Sequence, residues 1–180
     1  MYWPTKQSTA PKHLKIALIV DVLCLQVAWF TAALLQDQST PWLLLILLIR
    51  VLALKNLRVE VKAAMLMAAI GLLVECLMIV SGLVSYNTTL FMPIWLPILW
   101  VIFGFTMAHS MKLMRSFRLP LRALIGAVAG CSTYQAAASF GVLQLQPDRL
   151  SASIALLLIW AIVLPLLAGK QTSRTAEINC

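Results

Sequence analysis

Long apolar runs parted by short polar joints divide this chain. The runs cover 14–35, 41–54, 63–84, 93–111, 120–145 and 150–168. A helix needs about 20 apolar residues to cross the hydrocarbon layer, and most of these runs reach that length. Within them apolar residues are continuous rather than alternating, which predicts helices and not the strands of an outer-membrane barrel. Pro41, Pro93 and Pro120 stand at the starts of three runs, where a helix tolerates proline. The expected fold is all-α: a polytopic membrane bundle of six transmembrane helices. Residues 14–168 would form one membrane domain, between a basic arm over 1–13 and a polar tail over 169–180. The second run is short, and Arg50 lies inside it; its stem would stay in the apolar layer while its guanidinium reaches the headgroups. Asp21 interrupts the first run, so that run is expected to be a retained helix rather than a cleaved signal. We find no internal duplication in the sequence strong enough to indicate an inverted repeat.

Composition sharpens this picture. The chain is 62% hydrophobic and only 11% charged, where soluble domains average about 45–50% and 25%. The net charge of +8 is scattered over short joints and makes no compact basic module, so nucleic acid is not an expected partner. The cations alternate instead. Lys6, Lys12 and Lys15 precede the first run. Arg50, Lys55, Arg58 and Lys62 lie around the second joint, Lys112, Arg115, Arg118 and Arg122 around the fourth, and Lys170 and Arg174 after the last run. With six crossings all of these fall on one side and only Arg149 on the other, which places both termini in the cytoplasm. Anionic lipid headgroups at that face are the expected partners of these cations. Trp42, Tyr86, Phe91 and Trp95 collect at the opposite face, as an aromatic belt would. Asn87-Thr88-Thr89 fits an ordinary turn there. Cys24, Cys76, Cys131 and Cys180 lack metal-ligand spacing, and neither a metal nor a cofactor is expected.

Polar residues inside the apolar runs are the candidate chemistry. Ala64, Ala68, Gly71, Glu75 and Gly82 form a small or polar stripe at helical spacing, suited to facing other helices. Glu75 lies about twelve residues, or roughly 18 Å, from the basic end of its run, near mid-membrane. It is either protonated and hydrogen-bonded to a neighbouring helix or a proton-carrying or substrate-orienting group. Tyr134 and Gln135 lie at a similar depth and are its expected partners. Gly126 and Gly130 make a G-x-x-x-G step, read as close packing within the bundle, with homodimerisation as the alternative. Asp21, Arg50 and His109 share a shallower level near the cytoplasmic side. An Asp21–Arg50 contact would be structural, whereas an Asp21–His109 pair could shuttle protons. The catalytic candidates are Glu75, His109 and Asp21; the candidate substrate or headgroup ligands are Arg50, His109, Tyr134 and Gln135.

Several stretches carry a resemblance: QVAWF, GLLVE followed by SGL, PIWLPILWVIFGFTMAHS, GAVAGCSTYQAA with FGVL, and WAIVLPLL. In order along the chain, they resemble the bacterial inner-membrane family known as domain of unknown function 2878. The resemblance maps the family pattern onto Gln26, Trp29, Glu75, Trp95, Trp100, His109, Ser110, Gly126, Gly130 and Tyr134. The chain departs from that pattern at Glu75, where aspartate is more usual, at Cys131-Ser132, in place of Gly-Pro, and at Ala108, in place of Asn. The resemblance implies a small polytopic inner-membrane protein of Gram-negative bacteria, from a family whose genes often lie near those of lipid-modifying enzymes such as cyclopropane-fatty-acyl synthase. It carries no established activity. The functional expectations are an accessory factor or enzyme of membrane-lipid modification, a small proton-coupled transporter using Glu75, or a membrane anchor for a soluble partner.

Overall fold

The computed structural model describes residues 12–54, 57–114 and 116–170. These form six α-helices and a small antiparallel ribbon. Helix α1 spans Lys12–Leu35 and α2 spans Thr40–Leu52. Helix α3 spans Leu57–Val80, α4 Trp95–Met114, α5 Leu119–Ser139 and α6 Arg149–Lys170. Three helical stretches are long and apolar enough to cross a membrane, namely Ile19–Leu52, Glu60–Val80 and Arg149–Ala168, and α4 adds a shorter one, Trp95–Thr106. Their exposed faces carry Val27, Phe30, Leu48, Leu73, Leu77, Leu158 and Ile162, as lipid contact requires.

The first stretch is 34 residues long, about 51 Å as a straight helix and far more than one crossing needs. It is folded back on itself. A 3-10 turn over Gln36–Ser39 separates α1 from α2, with Gln36 in the left-handed region at φ 45°. Ser39 is buried, and its hydroxyl donates to the Gln36 carbonyl at 2.5 Å. The α1–α2 hairpin lies against α4.

The ribbon departs from the all-α expectation. Strand β1 (Val84–Tyr86) pairs with β2 (Leu143–Leu145), Val84 opposite Leu145 and Tyr86 opposite Leu143. The runs read as ending at residues 84 and 145 therefore stop being helical at Val80 and Ser139. Both stops are made the same way. Leu83 N–H donates to the Met78 carbonyl and Gly82 N–H to Ile79, while Val142 N–H donates to Ala137 and Gly141 N–H to Ala138. This is the Schellman pattern, which needs a left-handed residue just past the helix. Gly82 (φ 73°) and Gly141 (φ 70°) supply it.

The shared stop belongs to a larger correspondence that the sequence hides. Tyr134 follows Glu75 by 59 residues. The same offset relates Ala64 to Ala123, Gly71 to Gly130 and Gly82 to Gly141. The unit α3–β1–α4 thus repeats as α5–β2–α6, each pairing its own two helices closely, and the antiparallel ribbon joins the units. It is a parallel repeat rather than the inverted kind considered from the sequence. In each unit the central glycine seats a tryptophan of the partner helix. A Cβ on Gly71 would run into the Trp100 ring, and one on Gly130 into Trp160. The two tryptophans stack on each other with centroids 6.1 Å apart and planes 9° apart. Gly126 likewise meets the Trp160 carbonyl and Leu164, so the G-x-x-x-G step packs inside the bundle.

Helix α6 begins under an N-cap. Asp148 Oδ1 accepts from the backbone N–H of Leu150 at 2.9 Å and of Ser151 at 3.0 Å. The bonds from Ser151, then that from Leu150, hold the carboxyl below its usual range. Because the folded value is the lower one, the stabilisation is complete above the ordinary carboxylate range and is lost as pH falls through the folded value. Asp148→Ala should lower the thermal midpoint at neutral pH, and Asp148→Asn, which keeps an acceptor, should restore most of it. Equal midpoints for the Ala variant and the parent would remove the cap from the account.

Candidate functional site

The helix directions sort the polar residues into two groups. Helices α3 and α5 run towards the ribbon, and α4 and α6 run away from it. Glu75 and Tyr134 therefore both lie near the ribbon end of their helices. Glu75 is five residues from the end of α3, about 7.5 Å by helix rise, nearer the ribbon than the count of twelve residues from the basic joint implied. The expectation measured depth from the basic joint and let the run extend to residue 84; the helix starts earlier, at Leu57, and stops earlier, at Val80.

Glu75 is 1% exposed. Tyr134 Oη donates to Glu75 Oε2 at 2.6 Å and Tyr86 Oη donates to Oε1 at 2.7 Å. The Trp100 side chain is a further hydrogen-bonding neighbour. The Glu75–Tyr134 bond joins the two repeats at equivalent positions. Tyr86 joins them because β1 turns its side chain inward. Burial, and then the charge of Glu75, push its phenol well above the usual range, so it stays an O–H donor. Tyr86 and Trp95 were both expected in the outer aromatic belt. Trp42 and Phe91 are exposed, whereas Trp95 is buried and meets Tyr86 edge-on at 6.1 Å. Gln135, the other expected partner of Glu75, turns to α6 and donates to Ser153 Oγ at 2.6 Å. A step of one residue rotates a helix by about 100°, so Tyr134 and Gln135 cannot both face Glu75.

This cluster forms one end of a cavity of about 590 Å³. Leu25, Gln26, Trp29 and Ala33 of α1 line one wall, and Ile125, Ala129, Ser132, Thr133 and Ala136 of α5 line another, with Trp100, Phe103 and Trp160 between. Helices α1 and α5 approach each other where Phe140 meets Trp29 at 6.0 Å and Phe30 at 6.4 Å. Ala129, Ser132 and Thr133 line the cavity yet are exposed, so it is open along α5. The Ser132 and Thr133 hydroxyls donate back to carbonyls of their own helix, which leaves their apolar sides to the cavity.

The second group lies further from the ribbon. Arg50 Nη2 pairs with Asp21 Oδ1 at 2.7 Å and also reaches the Phe105 carbonyl at 3.4 Å. Asp21 is 2% exposed. The bond ties α1, α2 and α4 together at one level. Arg50 is thus turned to Asp21 rather than to the surface. His109 and Ser110 lie on α4, but their side chains, like those of Lys112 and Arg115, fall outside the described residues. Among the described residues no group of three or more His, Cys, Asp and Glu could hold a metal ion.

Sequence reasoning missed Tyr86 as a site residue. Its signal was present, since Gly82 marks the end of α3 and Val84 and Tyr86 alternate beyond it, which aims the two side chains to one face. Neither the curated proteins nor the solved structures gave a match to this chain. A family model described as "Protein of unknown function (DUF2878)" matches residues 18–166, and the chain, with its membrane-compatible helices and its buried Glu75 cluster, belongs to that family.

Proposed function

We propose that this chain is a multi-pass protein of the bacterial inner membrane that holds an amphipathic, lipid-like molecule in the cavity between α1 and α5, as an accessory factor or enzyme of membrane-lipid modification. The cavity carries this proposal. Its volume of about 590 Å³ falls in the range of small-molecule sites, which are mostly apolar with a few placed polar groups. Glu75, Tyr86 and Tyr134 supply polar groups at one end, while Gln26, Ser132 and Thr133 stand on its walls. The helices beside its open side, α1 and α5, are apolar on their exposed faces, at Val27, Phe30, Leu124 and Val128, so a ligand would enter from lipid.

Six crossings with both termini cytoplasmic suit the alternating helix directions. The positions of Arg50, Arg58, Lys62, Arg118 and Arg122, all away from the ribbon end, support the same orientation. On this topology a membrane-impermeant maleimide added to intact spheroplasts labels Asn87→Cys and spares Arg118→Cys. The reverse pattern would invert the protein in the membrane.

The binding proposal is tested by mass spectrometry of lipid co-purifying with the full chain. Ala136→Trp fills the cavity from α5 and should lower the bound amphiphile roughly tenfold, the equivalent of about 1.4 kcal/mol, with the helical circular dichroism unchanged. Equal lipid content in parent and folded variant would overturn it.

A further inference from the structure

The polar end of the cavity holds a buried carboxyl group with no cation beside it among the described residues. Both oxygens of Glu75 accept from phenol donors, Tyr86 on one and Tyr134 on the other. An ionised carboxylate can accept from both phenols at once, and the contacts of 2.7 and 2.6 Å lie in the ordinary range of O–H···O bonds. Among the described residues no lysine or arginine pairs with Glu75; the ion pair there is Asp21–Arg50, far from the ribbon. An anion so deeply buried is strongly unfavourable without a counter-charge. The walls beside it are aromatic, with Trp95, Trp100, Trp160, Tyr86 and Tyr134 all lining the cavity. Aromatic faces attract cations, most strongly where water is excluded.

A second observation also points to a ligand. Trp160 is 6% exposed and lines the cavity, and its Nε1–H is buried without a hydrogen-bond partner. A buried donor left unmet is costly, and such groups in native proteins usually find an acceptor. The Trp160 ring lies against Tyr134, centroids 6.2 Å apart, so an acceptor there would be close to the Glu75 cluster.

We infer that the cavity takes an amphipathic ammonium compound. A primary or quaternary ammonium head sits against Glu75 among the aromatic rings, an oxygen acceptor a few atoms away meets Trp160 Nε1–H, and an apolar body runs between α1 and α5. This deepens the proposed function and rests on the cavity being a site for a lipid-like molecule. The ammonium can come from a bilayer lipid headgroup or from a free amphiphile, since the recognising chemistry is the same.

The experiment uses the purified full chain in maltoside micelles and follows tryptophan fluorescence during titration with decyltrimethylammonium, decanol and decanoate. The parent should bind the ammonium at least about tenfold more tightly than decanol, as attraction to aromatic faces and to a carboxylate implies, and decanoate most weakly. Glu75→Gln should bring ammonium and decanol within about twofold of each other. Equal binding of decanol and ammonium by the parent overturns the ammonium inference and leaves the cavity reading standing, whereas no binding of any of the three overturns both. The parent series decides the matter even where Glu75→Gln does not fold. Phosphatidylethanolamine, but not phosphatidylglycerol, displacing the probe identifies a lipid headgroup as the source. Failure of both lipids to displace it identifies a free ammonium amphiphile.

Discussion

Arg50→Ala should destabilise the protein by about 3–5 kcal/mol, the range for removing one partner of a buried ion pair. The size follows from what is left behind rather than from the strength of the bond. Asp21 is 2% exposed, and Arg50 Nη2 pairs with it at 2.7 Å. Deleting the cation strips a buried carboxylate of its Arg50 partner. Removing the charge from both partners should be far milder, because well-packed apolar or neutral groups can replace a buried pair at little cost. The measurement is unfolding of the purified protein in mixed micelles with increasing dodecyl sulfate, followed by circular dichroism. Arg50→Ala should lower the midpoint steeply, and Asp21→Asn combined with Arg50→Met should recover most of the loss. If the double variant is as unstable as the single one, the pair is not what holds the α1–α2 hairpin. The effect should extend to the cavity, because Leu25 and Gln26 line it and lie one turn beyond Asp21 on α1. A displaced α1 widens the cavity, so Arg50→Ala should also weaken ligand retention although Arg50 is not among the residues that line it.

The helices were legible because their signal is redundant. Each apolar run offers many residues, and no single one decides the outcome. The hairpin at Gln36–Ser39 was readable from QDQST, and matching depth offered Asp21–Arg50 as one of two contacts, the other being with His109, whose side chain lies outside the described residues. The ribbon was not, since three residues in each strand give too little alternation to stand out beside long apolar runs. Gly82 and Gly141 carried the information, but Gly82 was read as part of a packing stripe. It is exposed, and nothing lies within 4 Å of the place a side chain would occupy. The repeat escaped for a related reason. Equivalent positions keep the small residues that set helix spacing, such as Gly71 and Gly130, and differ where the chemistry lies. Glu75 corresponds to Tyr134, and Tyr86 to Leu145. Two units that hydrogen-bond to each other need complementary groups rather than identical ones, so a site on their shared axis erases the sequence identity that would reveal it.

Gly104→Ala should be more damaging than the same change at Gly71 or Gly130. A Cβ at this position would fall on the carbonyl group of Ala64, with the Ala64 Cα close by as well. At Gly71 and Gly130 the colliding atoms belong to tryptophan side chains, whose rings can tilt a little within the cavity. At Gly104 they belong to the α3 backbone, which cannot rotate away inside a helix. The only relief is separation of α3 from α4, two helices that pack closely along their length. Overpacking of this kind costs about 1–3 kcal/mol, occasionally more, and small residues at helix contacts are what permit close approach in membranes. Separation would also draw Glu75, on α3, from Trp100, on α4. Gly104→Ala should therefore lower the unfolding midpoint and weaken ammonium binding together, while Gly82→Ala, in open space at φ 73°, should affect the midpoint alone. A control fixes the cause. Adding Ala64→Gly removes a methyl group but leaves the carbonyl oxygen in place, so it should not rescue Gly104→Ala. Rescue by Ala64→Gly would mean that the side chains, and not the backbones, set the distance between α3 and α4.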